Sequence, residues 1–243
     1  MSCSRRVFLP IRDDNPRTRF PIVTALLIAA NALVFVYSHL LLTQKGEELF
    51  ALMTGAIPYE IVTGIDVYPR DLVPPPFTIL TSMFVHAGWM HLIGNMWFLW
   101  LFGDNVEEAL GPFRYLVFYF VVGTLGALAQ IFAMPDSRVP MIGASGAIAG
   151  ALGAYAMLYP QARVQTLILI PFLWPVIAVR AWFFLGLWFI GQFMLPTGSG
   201  VAWMAHVGGF IAGAGLARLL ARRRRPPGGP VDVEYIPPSR RRW

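Results

Sequence analysis

Residues 201–225 read VAWMAHVGGFIAGAGLARLLARRRR, an apolar run that ends at four consecutive arginines. A helix needs about 20 mostly apolar residues to cross a bilayer, and this run has that length. Arginines directly after such a run are typical of the cytoplasmic end of a transmembrane helix. The stretch therefore predicts a membrane-spanning helix whose carboxyl end lies in the cytoplasm.

The composition of the whole chain is that of a membrane protein. Its 243 residues are 56% hydrophobic and only 13% charged, whereas a soluble domain carries about 25% charged residues. Disorder needs low hydrophobicity and high charge, so it is excluded for most of the length. The single cysteine, Cys3, excludes an internal disulfide framework and a cysteine-based metal site.

Positive charge is concentrated at the two ends of the chain. Residues 1–20 hold five Arg against two Asp, and residues 218–243 hold eight Arg against one Asp and one Glu. The body between them is slightly acidic, so a basic nucleic-acid-binding face is excluded. We expect residues 1–20 to be a basic cytoplasmic tail, residues 21–221 a membrane domain, and residues 222–243 an Arg- and Pro-rich disordered cytoplasmic tail. Two cytoplasmic termini require an even number of spans.

Six apolar segments satisfy this requirement. The segment 163–195 is too long for one crossing and too short for two, and we expect 164–174 to be an extended or interfacial lead-in to the fifth span. The predicted fold class is all-α, a polytopic membrane protein built as a bundle of six transmembrane helices. Its expected location is a bacterial inner (plasma) membrane, with both termini cytoplasmic. The predicted spans are 22–43, 88–110, 112–134, 145–160, 176–195 and 201–221.

A few polar side chains lie inside these predicted spans, where each is costly and tends to be functional. The second span contains His91 and Asn95, the fourth begins at Ser145, and the sixth contains His206. All three spans run from the outside inward, so the four side chains share one depth near the outer face. Residues that only pack would scatter in depth, and the coincidence therefore predicts a functional site.

Ser145 and His206 are the candidate nucleophile and general base of this site. A serine hydroxyl is a poor nucleophile until a base takes its proton, and histidine is the usual base. The patterns Gly146-x-x-x-Gly150 and Gly209-x-x-x-Gly213 predict that their two helices approach closely. The acidic residues of the second span lie at its opposite end, so we expect a dyad without a carboxylate; they are Asp104, Glu107 and Glu108.

His91 and Asn95 are candidate donors to an oxyanion. They are four residues apart, and so they lie on one face of a helix. Ser145 opens a helix, where backbone N–H groups lack intrahelical partners and carry the positive end of the helix dipole. Donors aimed at a developing oxyanion are what acyl transfer requires.

Three motifs together resemble the rhomboid family of intramembrane serine proteases: His91-x-x-x-Asn95, Gly143-Ala144-Ser145-Gly146 and Ala205-His206-x-Gly208-Gly209. The resemblance covers about residues 21–221. It implies cleavage of a peptide bond in or near a transmembrane segment of another protein, with Ser145 as nucleophile and His206 as general base and acid. It also implies an oxyanion site of His91, Asn95 and the Ser145 backbone N–H, with the Gly143 backbone nearby.

The same resemblance implies that no metal or cofactor takes part. The expected partners are transmembrane protein substrates and membrane lipids, and not nucleic acid; the sequence does not indicate an oligomeric state. The chain departs from the family pattern at two places. Many members carry a Trp-Arg pair before the second span, where this chain has Pro76-Phe77-Thr78. Some place an aromatic residue on the catalytic histidine four positions after the serine, where this chain has Ala149, so His206 needs support from another side chain.

Two other functions compete with proteolysis. The first is that of an inactive rhomboid-like or derlin-like protein, which binds transmembrane segments without cutting them. Such proteins usually lack the serine or the histidine, and this chain has both. The second is a small transporter, which would carry polar residues through the full membrane depth or broken helices in matched positions. The inner halves of the second, fourth and sixth spans are instead apolar or rich in glycine.

Overall fold

The computed structural model describes residues 7–68, 73–169, 174–195 and 200–221. Nine α-helices and three strands lie in these ranges, and short 3₁₀ or π turns extend some of the helices. The predicted tail at 222–243 lies outside the described residues. The helices are α1 Ile22–Val36, α2 Gln44–Thr54, α3 Pro58–Thr63, α4 Thr78–Thr81, α5 Trp89–Leu110, α6 Pro112–Ala133, α7 Ser145–Leu158, α8 Ala181–Gln192 and α9 Trp203–Leu220; the strands are β1 Val7–Asp13, β2 Arg163–Leu169 and β3 Val176–Arg180.

Six of these helices are apolar and correspond to the six predicted spans. Three of them have the length and hydropathy of a membrane crossing, namely α1 with its π-helical extension to Leu41, α6 and α9. Helix α5 and the short helices at Pro75–Phe84 together have the length and hydropathy of a fourth crossing, and the two parts are bent by 82° relative to each other. Helices α7 and α8 are apolar but shorter. The predicted class, a polytopic helical bundle in a membrane, is confirmed.

Helices α7 and α9 cross so closely that only glycine fits at the crossing. A Cβ atom on Gly213 would collide with the carbonyl oxygen of Gly150, and one on Gly209 would collide with that of Gly146. The close approach predicted from the two glycine patterns is therefore present. It brings the first turn of α7, which begins at Ser145, against the first turns of α9.

The loop between α7 and α8 forms a β-hairpin that pairs with the amino-terminal segment. Strand β2 lies between β1 and β3, and both pairings are antiparallel. The expected fifth span was wrong at its start: residues 176–180 pair with β2, and the helix begins at Ala181. Residues 164–169 are extended as expected. Residues 7–13, which we assigned to a tail, form a strand because β2 supplies hydrogen-bonding partners about 160 residues away.

Strand β1 runs beside α5 and is attached to it by side chains. Trp97 Nε1 donates to the carbonyl oxygen of Pro10 at 2.6 Å, and Asn105 Nδ2 donates to Asp13 Oδ2 at 3.0 Å. Tyr155 of α7 also donates to Asp13 Oδ2, at 2.5 Å. Burial raises the pKa of the Asp13 carboxyl to about 6, while the bond from Tyr155 opposes the rise. The sheet is thus fixed to two helices of the bundle.

Glu107, near the carboxyl end of α5, completes the start of α1. Its carboxylate accepts from the backbone N–H groups of Val23 and Thr24 at 2.9 and 2.8 Å, and from the Thr24 hydroxyl at 2.8 Å. The first N–H groups of a helix have no intrahelical partners, and α1 has no capping side chain of its own. Glu107 therefore has a structural role at the end of the bundle remote from Ser145.

Candidate active site

Ser145 and His206 meet across the crossing of α7 and α9. Ser145 is the first residue of α7, and His206 lies in the first turn of α9. The Nε2 atom of His206 is 2.8 Å from the Ser145 Oγ atom, which is hydrogen-bonding distance. Both residues are half-buried. The two side chains that the sequence singled out as nucleophile and base are therefore in direct contact.

The other ring nitrogen of His206 contacts Gln192, the last residue of α8. The distance from His206 Nδ1 to Gln192 Oε1 is 2.7 Å, and Gln192 Nε2 donates to the carbonyl oxygen of Trp188 at 3.0 Å. The Trp188 ring also lies beside the imidazole, with centroids 6.1 Å apart. Because Ala149 stands where some family members have an aromatic residue on the histidine, His206 was expected to need another supporting side chain. Gln192 and Trp188 provide that support. Gln192 was not among the residues predicted from the sequence, although it is the one amide side chain of the otherwise apolar α8.

His91 and Asn95 project from α5 toward the loop before Ser145. A Cβ atom placed on Gly143 would lie 2.7 Å from His91 Nε2 and 3.5 Å from Asn95 Nδ2. Gly143 has a φ of +114°, a conformation that side chains other than glycine rarely adopt. Glycine at this position therefore leaves open the space into which both side chains point.

The hydrogen bonds of His91 and Asn95 identify which of their atoms can donate into the space beside Gly143. The Ala87 N–H donates to His91 Nδ1 at 3.4 Å, so a neutral His91 carries its proton on Nε2, toward Gly143. Asn95 is buried, and its Nδ2 atom has no hydrogen-bond partner within the described part of the chain. Gly143 itself donates its N–H to the Ser82 carbonyl at 2.8 Å, so its N–H is already occupied.

A small apolar cavity of about 40 Å³ adjoins Ser145. Its walls come from the turn before α5, from α6 and from the loop that carries Gly143, and they include Ile79, Met83 and Met141. The cavity has room for a small side chain next to the serine hydroxyl. Within the described ranges, no three His, Cys, Asp or Glu side chains lie close enough together to hold a metal ion.

The chain is similar in sequence to several known proteins. The Rhomboid domain matches residues 75–223. The mitochondrial Rhomboid protein 1 of Saccharomyces cerevisiae is 31% identical over 151 residues, which are 60% of this chain and 37% of the yeast protein. RHOMBOID-like protein 5 of Arabidopsis thaliana is 30% identical over 163 residues, 66% of this chain and 48% of the plant protein. Rhomboid protease GluP of Bacillus subtilis is 41% identical over 76 residues, 31% of this chain and 14% of that protein. The chain spans less than half the length of these relatives.

Proposed function

The chain belongs to the rhomboid family, and we propose that it is an intramembrane serine endopeptidase that cleaves transmembrane segments of other membrane proteins. The observation that carries the proposal is the 2.8 Å contact between His206 Nε2 and Ser145 Oγ. A serine and a histidine at this distance, on two helices that cross through glycines, satisfy the geometry of nucleophile and general base. A protein that only bound transmembrane segments would have no need of this contact.

The reaction proceeds by acyl transfer. His206 Nε2 takes the proton of the Ser145 hydroxyl as the oxygen attacks the carbonyl carbon of the scissile bond. The same nitrogen then gives the proton to the leaving amine, and an ester between Ser145 and the substrate remains. A water molecule, activated by His206, hydrolyses the ester and restores the free serine. Among the described residues no carboxylate is hydrogen-bonded to His206, and the dyad works with the neutral amide of Gln192 behind it.

The oxyanion of each tetrahedral intermediate is stabilised by donors around Gly143. We assign His91 Nε2, Asn95 Nδ2 and the Ser145 backbone N–H to this role. The free Nδ2 atom of buried Asn95 supports the assignment, because a buried donor without a partner is costly unless a ligand uses it. Gly143 contributes open space, and its N–H is not counted among the donors because it is bonded to Ser82.

The proposed substrates are single transmembrane segments with a small residue at the cleavage site. The apolar cavity of about 40 Å³ next to Ser145 favours a small side chain there. Both termini are expected on the cytoplasmic side, which places the site toward the outer face. A bacterial inner membrane remains a prediction, since the similar proteins include mitochondrial and chloroplast ones as well as bacterial ones.

Cleavage in proteoliposomes separates the protease from the alternative, a rhomboid-like binder without activity. The purified protein is reconstituted with single-span substrates that carry small and helix-breaking residues in their outer half. We expect the wild type to release two fragments, and Ser145→Ala and His206→Ala to release none while still associating with the substrate. Equal fragment yields from the wild type and Ser145→Ala would rule out the proposed nucleophile.

A further inference from the structure

The amide of Gln192 has a defined orientation, although its oxygen and nitrogen atoms are alike in size. Its Nε2 atom donates to the carbonyl oxygen of Trp188 at 3.0 Å, and its Oε1 atom faces His206 Nδ1 at 2.7 Å. Turning the amide over would bring Oε1 against the Trp188 carbonyl, and two acceptors repel. The orientation with Oε1 toward the histidine is therefore the one that satisfies both contacts.

The tautomer of His206 follows from this orientation. A carbonyl oxygen only accepts, so the Nδ1 atom that faces it must carry a proton. In the neutral ring, the proton on Nδ1 leaves a lone pair on Nε2, and that lone pair faces the Ser145 hydroxyl. This is the form that a general base needs. The opposite tautomer would place two acceptors together at Gln192 and a second donor against the serine.

We propose that Gln192 is a positioning residue of the active site, which holds His206 in the Nδ1–H tautomer and keeps Nε2 directed at Ser145. This inference rests on the proposed protease function and adds a third member to the dyad. Gln192 is 8% exposed, and both of its polar atoms are hydrogen-bonded, so its amide is held firmly. Because it is neutral, it stabilises the imidazolium formed during catalysis through a dipole, with no buried negative charge.

Trp188 contributes to the same arrangement. It lies one helical turn before Gln192 on α8, so its backbone anchors the amide while its ring packs beside the imidazole. The ring of Phe210 on α9 stacks on Trp188 in turn. The rotation of the His206 ring is therefore fixed from α8, whereas Ser145 is fixed from α7.

The protonation of His206 can be observed directly in the unaltered protein. Nitrogen NMR of the ¹⁵N-histidine-labelled wild type in detergent distinguishes a protonated from an unprotonated ring nitrogen, and His206→Ala identifies the signals of His206. At a pH where the ring is neutral, we expect the proton on Nδ1 in nearly all molecules. A proton on Nε2, or an even mixture of the two tautomers, would overturn the proposal. This result needs only the wild type and no variant of Gln192.

The variant Gln192→Met tests the consequence for catalysis. Methionine has nearly the same length but no strong acceptor, so it keeps the packing and removes the hydrogen bond. We expect the maximal rate of inactivation by a fluorophosphonate to fall about 10- to 100-fold, with little change in the half-saturating concentration. The histidine NMR signals should change to a mixture of tautomers. Gln192→Glu, which keeps an acceptor oxygen, should react faster than Gln192→Met.

The matched control is Gln130→Met. Gln130 of α6 is also a buried glutamine that contacts α9, where its Oε1 accepts from the Met204 N–H at 3.0 Å, but its Nε2 faces Met134 Sδ at 3.2 Å, so neither bond involves His206. The Gln130→Met variant should leave the inactivation rate and the NMR signals of His206 unchanged. A wild-type rate for Gln192→Met, or equal losses for the two glutamine variants, would reject the positioning role. If the wild type itself failed to react, the protease proposal would be at fault instead.

Discussion

Asp13 and Tyr155 are joined by a hydrogen bond of 2.5 Å although 142 residues separate them in the chain. The bond attaches the edge strand β1 to α7, the helix that begins at Ser145. Asn105 of α5 donates to the same carboxylate oxygen. The amino-terminal strand is therefore held at a junction between two helices that each carry site residues at their other end.

This junction predicts a pH-dependent stability. Burial raises the pKa of Asp13 from its ordinary value of 3.8 to about 6, so the folded protein keeps a proton that the unfolded chain has released. The stability that the protonated carboxyl provides is complete below about pH 4 and is lost as the pH rises to about 6, a change on the order of 2 kcal/mol. Asp13→Asn keeps an acceptor for Tyr155 without the charge. The melting temperature of Asp13→Asn minus that of the wild type should therefore be larger at pH 7.5 than at pH 4.5. An equal difference at the two pH values would contradict this.

The glycine crossing of α7 and α9 predicts a contrast between two neighbouring glycines. Gly213→Ala puts a methyl group against the Gly150 backbone, which forces the helices apart and should cost about 1–3 kcal/mol. It should also slow fluorophosphonate labelling, because the same crossing sets the distance between Ser145 and His206. Gly215→Ala is the control, since open space surrounds that position. Thermal unfolding and labelling rates measured on both variants check the contrast, and equal effects would argue against the crossing as described.

The carboxylate of Glu107 predicts a large loss of stability on truncation. Glu107→Ala leaves the N–H groups of Val23 and Thr24 without their acceptor, and we expect the free energy of unfolding to fall by about 2 kcal/mol or more. Glu48→Ala removes an exposed glutamate and should change stability by less than about 0.5 kcal/mol. Chemical denaturation in detergent compares the two variants. A small effect at Glu107 would mean that water replaces its bonds.

The assignment of Asn95 as an oxyanion donor predicts that its removal slows catalysis without weakening substrate binding. Asn95→Leu preserves the volume and removes the amide, so kcat should fall about 100-fold or more while KM changes little. Asn31→Leu is the control, because Asn31 is a buried asparagine whose one hydrogen bond within the described part of the chain goes to the Leu27 carbonyl of its own helix. Cleavage of a transmembrane substrate measured over a range of concentrations gives both constants. A rise in KM alone would assign Asn95 to substrate binding.

Much of the helical architecture can be predicted from local sequence. Four of the six apolar helices, counting the bent span, are long enough to cross a bilayer, and the glycine spacings on α7 and α9 are local patterns that indicate close packing. Ser145, His206, His91 and Asn95 could be selected because polar residues are costly within such runs. The structure brings Ser145 to His206, and it directs His91 and Asn95 to the space at Gly143.

The sheet and Gln192 could not be predicted in the same way, for two physical reasons. Strand β1 is short and contains Pro10, and its conformation depends on pairing with β2 far along the chain, as between Phe8 and Ile168. A local pattern contains no information about such a partner. A glutamine after an apolar run is typical of the end of a transmembrane helix, so Gln192 gave no sign of a role in the site. Its contact with His206 depends on how α8 is rotated against α9.

The proposed mechanism depends most on Ser145 being a nucleophile activated by His206. The most direct measurement is labelling of the purified, detergent-solubilised protein with a fluorophosphonate, followed by mass spectrometry of the adduct. We expect one adduct, on Ser145, together with no labelling of Ser145→Ala and very slow labelling of His206→Ala. Labelling of Ser145→Ala at the wild-type rate, or an adduct on another residue, would contradict the account.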